Sequence, residues 1–165
     1  MAYQISTPLV GAQPIAVTDT TQNHPVGTVV TANDPTYGGG EFIYLKGVAS
    51  TVVGSIVTYN TTSGTTTLAP AGTNKPQPVA VAMSANVASQ WGWYQIGGVA
   101  VVAKAATVSL AAGVAVGVQS TGVINATASG KEVEGALVAA VASAATGRTT
   151  VQVVINRPAM QGRVS

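Results

Sequence analysis

From Glu41 onward, the sequence is a succession of short apolar runs separated by turns that contain glycine. The runs are rich in Val, Ala and Thr, and β-branched residues favour strands over helices. Glu, Lys, Arg and Leu, which build exposed helices, are scarce. Closely spaced turns between such runs are typical of antiparallel pairing. The pattern therefore predicts an all-β fold.

Eight stretches fit strands of this domain, and two pairs of them predict hairpins. The first hairpin joins 54–60 to 65–69 through Thr-Thr-Ser-Gly, and the second joins 114–119 to 123–127. The remaining stretches are 41–46, 78–83, 91–103 and 149–156. Within 91–103, the pair Gly97-Gly98 predicts a kink or a bulge.

The segment 132–145 fits either a strand or a helix. Ser129 and Glu132 have the spacing of a capping box, which favours a helix. As a strand, the segment would pair with 149–156 through a tight turn. We favour the strand.

The chain also contains a faint internal duplication. Gly54, Val57 and Gly64 recur as Gly113, Val116 and Gly122, at an offset near 58 residues. Two similar β units are compatible with a barrel or sandwich assembled from both, whereas Val/Ala/Gly-rich sequence also produces such parallels by chance.

Residues 1–40 differ from the rest because proline recurs through them, at positions 8, 14, 25 and 35. Proline removes a backbone donor, so we expect an extended N-terminal arm that ends in a hinge at Gly38, Gly39 and Gly40. Ile15–Val17 and Val29–Val30 could form edge strands. The predicted organisation is an arm over 1–40, one β-sandwich or barrel over 41–158, with a jelly roll as one form of it, and a tail over 159–165.

Charge is unusually low in this chain. Charged residues make up 7% of the 165 residues, and seven basic and five acidic side chains give a net charge of +2. The basic residues form no cluster, which argues against nucleic-acid binding. Low charge favours association between copies or with a larger assembly. No stretch is continuously apolar enough to predict a membrane span or a signal peptide.

The residues that carry chemistry are nearly absent. His24 is the only histidine and Cys is missing, which disfavours a catalytic relay and a zinc site. We expect His24 to be a solvated loop residue, and Glu132 with Glu134 to be a solvated edge. The sequence thus predicts no enzyme, no metal and no cofactor.

Trp91 and Trp93 form the one local sequence pattern that could indicate a binding site, because alternate residues of a strand face the same side. Two such indoles could anchor the core, contact another subunit or stack on a glycan. We favour the core.

Four segments together resemble the head decoration, or cement, proteins of tailed bacteriophages. They are Tyr44-Leu-Lys-Gly-Val-Ala49, Val53-Gly-Ser-Ile-Val-Thr-Tyr59, Lys75-Pro-Gln-Pro-Val-Ala-Val-Ala82 and Gln90-Trp-Gly-Trp-Tyr-Gln-Ile-Gly-Gly-Val99. The Ala112-Gly113 hairpin and the runs at 135–138 and 153–158 fit the same order. The resemblance covers roughly 41–158 and leaves the arm out.

This resemblance implies a non-enzymatic virion protein, made in the host cytoplasm, that binds the outside of an icosahedral capsid. It implies the major capsid protein as partner and a homotrimer as the assembly. The alternative function is a carbohydrate- or receptor-binding virion module that uses the Trp91/Trp93 face.

The apolar residues of the arm cannot form a core of their own, so we expect neighbouring subunits or the shell to supply a surface for them. Together with the two tryptophans, the predicted partner contacts are Tyr3, Ile5, Leu9, Val10, Ile15, Val17, Trp91 and Trp93. On this view, residues 41–158 fold without the arm.

Overall fold

The computed structural model describes residues 3–6, 12–71, 75–85, 88–144 and 149–162. Within these ranges the chain is all-β and contains no helix. The strands are β1 (Gln4–Ile5), β2 (Val29–Asp34), β3 (Gly38–Lys46), β4 (Ile56–Tyr59), β5 (Thr66–Leu68), β6 (Val79–Ala82), β7 (Trp91–Lys104), β8 (Ala115–Ser120), β9 (Val123–Ala126), β10 (Glu132–Val138) and β11 (Thr149–Met160). The predicted fold class is confirmed.

The C-terminal half forms a closed five-stranded barrel. Its strands are hydrogen-bonded in the order β7–β11–β10–β8–β9. Parallel pairing of Ile124 in β9 with Lys104 in β7 closes the ring. We call this ring the C-terminal barrel.

The N-terminal half repeats the same order of pairings. Strand β3 pairs with β7, β7 with β6, β6 with β4, and β4 with β5. An isolated parallel bridge between Lys46 and Thr65 then returns to β3, and the Lys46 amide donates to the Gly64 carbonyl at 2.9 Å. We call this set of strands the N-terminal ring.

The internal duplication is therefore present in the topology. Each unit consists of a long strand, a hairpin, a further strand and a second long strand, and the two units share β7. Gly54 and Gly64 of the first unit have positive φ angles of 82° and 65°, and Gly113 and Gly122 of the second have 78° and 71°. Glycine adopts positive φ angles without steric cost, and these glycines occur at matching points before and within each hairpin. The two hairpins therefore occupy equivalent positions in their units.

Both predicted hairpins are confirmed, as β4–β5 and β8–β9. The strand interpretation of 132–145 is confirmed over β10, which pairs with β11. The turn predicted to join them lies outside the described residues.

Strand β11 continues past the predicted domain end, because Met160 is buried and pairs with Val133, so the boundary at residue 158 is wrong.

Three apolar clusters fill the molecule. The largest occupies the C-terminal barrel, extends onto β4 and β6, and consists mostly of Val, Ala and Ile, among them Val102, Val116 and Ile155. A second cluster fills the N-terminal ring and includes Ile43 and Leu45 of β3. A third lies on the opposite face of β3 and β7. It contains the large rings of Tyr3, Phe42, Tyr44 and Trp93 together with Ile15, Val30, Ala32 and Met83.

The third cluster corrects the prediction of a free N-terminal arm. Strand β2 pairs along β3 from Val29 to Asp34, and Tyr3 and Ile15 are buried at 7% and 3% exposure. Gly38, Gly39 and Gly40 belong to β3 and form no hinge. Ile15–Val17 is not a strand, because the backbone turns at Ile15. The apolar side chains of this segment thus cover a sheet face of their own chain.

Strand β7 carries the predicted irregularity at Gly97-Gly98. Its register against β3 shifts between the Gln95–Phe42 and Gly97–Glu41 pairs, so Ile96 is the extra residue of a bulge. Gly98 has φ of +91°, and a Cβ at this position would collide with the carbonyl oxygen of Gly39. Here β7 passes from pairing with β3 to pairing with β11.

We expect Gly98→Ala to destabilise the protein by about 2–4 kcal/mol, because left-handed strain of about 1–2 kcal/mol adds to a backbone collision. Gly113→Ala is the matched control, since Gly113 has a similar φ of +78° and no atom lies within 4 Å of the place that a methyl group would occupy. It should cost only the strain. Urea unfolding measures the free energy of unfolding of both variants. Equal losses of this free energy in the two variants would contradict a steric role for Gly98.

Deleting residues 1–27 should prevent folding of the remainder or leave it aggregated, because the deletion uncovers the faces of Phe42, Tyr44 and Trp93. Far-UV circular dichroism and light scattering of the truncated chain test this. A soluble truncated chain with the strand signal and cooperative unfolding of the full protein would restore the prediction of a dispensable arm.

Candidate protein-contact surface

Trp93 is the centre of the aromatic cluster and is fully buried, at 0% exposure. Its indole N–H donates to the Gln13 carbonyl at 3.1 Å. The rings of Tyr44 and His24 lie 5.1 Å and 5.6 Å from it, measured between centroids. The core interpretation therefore holds for Trp93, and this side chain is inaccessible to a glycan or to another subunit.

Trp91 lies at the margin of the same cluster and is half-buried. Its ring stacks on Tyr44 with 6.1 Å between centroids and an interplanar angle of 12°. The Lys46 ammonium lies 5.5 Å from the indole centroid, within the range of a cation–π contact. Trp91 and Trp93 thus face the same side, as predicted, but they do not form an exposed pair.

The predicted contacts in the N-terminal segment fall into three groups. Tyr3 and Ile15 are buried in the chain's own core, which removes them as partner contacts. Ile5 is half-buried against the aromatic cluster, and Val17 is 43% exposed. Leu9 and Val10 lie outside the described residues.

His24 corrects a further expectation, because it is buried rather than solvated. Its side chain is 7% exposed and packs edge-on against Tyr44 at 5.2 Å between ring centroids. Its Nε2 atom is buried and has no hydrogen-bond partner among the described residues. The imidazole fills space between two aromatic rings, a position suited to packing rather than to catalysis.

An apolar row crosses the outer face of the C-terminal barrel. Leu137 of β10 is the register partner of Ala115 in β8 and of Val154 in β11, and Val154 in turn pairs with Val99 in β7. Four neighbouring strands span about 14 Å at their usual spacing of about 4.8 Å. Leu137 and Val154 are 49% and 46% exposed, while Ala115 and Val99 are half-buried. We call these four residues the apolar row.

A groove of about 560 Å³ adjoins the apolar row at Val154. Its lining includes the glycines of β3 and β7 and several polar side chains, which are Gly39, Gly40, Gly97, Gly98, Ser6, Thr31, Asn33 and Asn156. At one end, Arg157 forms an ion pair with Glu41 at 3.3 Å. The row and the groove share Val154, so the polar side chains of the groove lie beside the apolar row.

Arg157 has an unusual backbone for a residue that precedes proline. Its φ is +43°, in the left-handed region, and it lies in a bulge of β11, where residues 156–158 face the single residue Gly135 of β10. Burial raises the pKa of the neighbouring Tyr59 phenol, and the Arg157 guanidinium lowers it part of the way back. Arg157 thus lies between the groove and a neighbouring pocket that Tyr59 lines.

Sequence reasoning missed the apolar row because its residues are far apart along the chain. The signal was present in β10 and β11, where Leu137 and Val154 stand at positions that alternate with buried residues. Once the register is known, large apolar side chains on the outward positions identify the row.

No group of three or more His, Asp or Glu side chains in the described ranges could hold a metal ion. No helix long and apolar enough to cross a membrane occurs among the same residues. No family model, no curated protein and no solved structure matches this chain.

We expect Trp93→Ala to cost about 3–5 kcal/mol of unfolding free energy, as is usual for a large buried aromatic side chain. Trp91→Ala should cost less than half of that, because its ring is already half in solvent. Denaturant unfolding of the two variants measures both values. Equal losses would mean that Trp91 is as fully packed as Trp93.

Proposed function

We propose that the protein is a non-enzymatic structural component of a tailed-phage virion that binds the outside of the capsid through the apolar row. The partner and the location come from the resemblance of segments between residues 44 and 99 to head decoration proteins. The observation that carries the proposal is the exposed Leu137–Val154 pair at the centre of a row on a closed barrel.

The apolar row has the character of a protein-contact surface. Large apolar side chains on adjacent strands form a contiguous patch, and such patches mark interaction sites more often than isolated apolar residues do. The adjoining groove provides hydroxyl and amide groups at its edge, which matches the usual arrangement of an apolar centre with a polar rim.

The energy available at one such contact is small. Completing the burial of two half-exposed side chains contributes on the order of 2 kcal/mol. A shell that presents many equivalent positions gains this amount at each of them, and a protein that binds only the assembled shell stabilises that state by mass action. Weak individual contacts are thus compatible with a substantial total effect.

The glycan-binding alternative loses its structural basis, since Trp93 is buried and Trp91 stacks on Tyr44. Glycan binding is still measured as a separate part of the test. Incubation with an insoluble glycan should not deplete the protein from solution.

The proposal is tested by co-sedimentation with expanded, empty capsids of the phage that encodes the chain. A variant that combines Leu137→Lys and Val154→Lys should bind at least tenfold more weakly, a loss of about 1.4 kcal/mol. Val53→Lys is the matched control, because Val53 is 52% exposed and lies in a turn that belongs to none of the four strands of the row. It should bind like the wild type.

Mass measurement in solution, by sedimentation equilibrium, separates shell binding from self-association. If the Leu137/Val154 variant changes the oligomeric mass but binds shells normally, the row is a contact between copies and the proposal is wrong. Absence of shell binding by the wild type would also overturn it.

A further inference from the structure

Two bulges of the sheet bring their residues to one pocket beside the N-terminal ring. The pocket has a volume of about 430 Å³. It is lined by Ile96, the extra residue of the β7 bulge, and by Arg157 and Pro158 from the bulge of β11. Bulges redirect side chains and are frequent beside functional sites. We call it the Tyr59 pocket, after an aromatic residue that lines it.

The Tyr59 pocket has a largely apolar lining. Val29 is 41% exposed, Tyr59 is half-buried and Ile43 is 8% exposed, and two prolines, Pro76 and Pro78, belong to the same lining. Ile43 and Tyr59 also line an adjoining pocket of about 200 Å³. Concave apolar surfaces with a few polar groups are the usual form of a small-molecule site.

Two polar side chains with accessible surface belong to the pocket. The Arg157 side chain is 66% exposed, and its Nη2 atom lies 3.3 Å from the Glu41 carboxylate. A guanidinium has several N–H donors, so this contact leaves others for a ligand. Burial raises the pKa of Tyr59, so its phenol keeps the proton and can donate it. Because Arg157 lowers that same pKa, the cation lies within electrostatic reach of the hydroxyl.

The backbone of Arg157 adds a second, independent observation. Its φ of +43° is unfavourable for a residue that has a Cβ. Strain of this kind persists where the surrounding structure enforces it, and it is concentrated at functional sites. The bulge of β11 thus holds a cation at the pocket at the expense of backbone strain.

We propose that the Tyr59 pocket binds a small monocarboxylate with a compact apolar body. The apolar body contacts Val29, Ile43 and Pro76. The carboxylate oxygens accept N–H donors of Arg157 and the hydroxyl proton of Tyr59. A guanidinium matches a carboxylate in geometry as well as in charge. Exposed ion pairs contribute little, so the contact with Glu41 does not prevent Arg157 from binding a second carboxylate.

The second unit of the duplication lacks this phenol. Val57 and Val116 are equivalent positions of the two units, so Tyr59 corresponds to Val118. Val118 is fully buried in the cluster that fills the C-terminal barrel. A half-exposed phenol beside a cation is therefore a property of the first unit rather than of the repeated architecture.

Two further cations belong to the surroundings of the pocket. Lys75 is exposed and precedes Pro76. Arg163 follows Gly162, which lies beside Pro76, and is itself outside the described residues. Either one could attract an anion without any role of Arg157, so the experiment includes a variant of each.

The experiment titrates the full chain with sodium 3-phenylpropionate at constant ionic strength and follows it by two-dimensional NMR. We expect saturable shifts with a dissociation constant in the millimolar range, as is usual for a ligand of this size. The shifts should be confined to the methyl groups of Val29 and Ile43 and to the amides of Tyr59, Gln77 and Arg157. Neutral 3-phenylpropanamide lacks the charge and sodium acetate lacks the apolar body, so both should bind at least fivefold more weakly.

Three substitutions test the polar contacts. Arg157→Gln should weaken binding about tenfold, because it removes a charge-assisted hydrogen bond. Tyr59→Phe removes only the hydroxyl and should weaken binding about fivefold. Glu41→Gln should strengthen binding about twofold, because a competing carboxylate is lost. The matched controls, Lys75→Met and Arg163→Gln, should bind like the wild type, and the amide spectrum of each variant verifies its fold.

Shifts that never saturate, or equal binding of 3-phenylpropanamide and 3-phenylpropionate, would overturn the proposal. Unchanged affinity in Tyr59→Phe, or weaker binding in Glu41→Gln, would do the same. A loss in Lys75→Met or Arg163→Gln that Arg157→Gln does not show would assign the anion to another cation and reject the site. The titration involves no capsid, so its outcome is independent of the proposed virion function.

Discussion

Strand β7 belongs to both rings, and the rest of the structure depends on how it changes partners. Its first half pairs with β3 and β6, and its second half pairs with β11. The bulge at Ile96 and the left-handed Gly98 lie where one set of partners gives way to the other. Without a glycine at this point, β3 and β7 could not approach closely enough for both rings to share a strand.

Sharing one strand also explains how a chain with so few large side chains maintains three cores. The C-terminal barrel is filled mainly by Val, Ala and Ile, which suits the narrow interior of a five-stranded ring. The large rings gather instead on the outer face of β3 and β7, where the N-terminal segment covers them. Tyr3 fastens that segment, because its hydroxyl donates to the Val99 carbonyl of β7 at 2.9 Å.

The strands after Glu41 were predictable because each one is a short apolar run bounded by turn residues. The role of the N-terminal segment was not, since its strand signals at Ile15–Val17 and Val29–Val30 were short and its prolines suggested an arm. A clue lay in β3, where Phe42, Ile43, Tyr44 and Leu45 are apolar in succession. A strand with large apolar residues on both faces has to be covered on both, so a second layer was required. The burial of Lys104, which is 1% exposed at the end of β7, was unpredictable for a simpler reason, since charged residues are rarely buried.

Closure of the two rings has a consequence for how copies of this protein meet at high concentration. The strands of the C-terminal barrel are hydrogen-bonded on both sides, and a single bridge beside β5 closes the N-terminal ring, so the strand order of the described residues has its open end at the two-residue β1. Charge repulsion is the usual safeguard against accidental strand pairing, and a chain with 7% charged residues has little of it. Closure of the rings therefore limits strand pairing between crowded copies to the short edge at β1, and otherwise leaves side-chain faces such as the apolar row for contact.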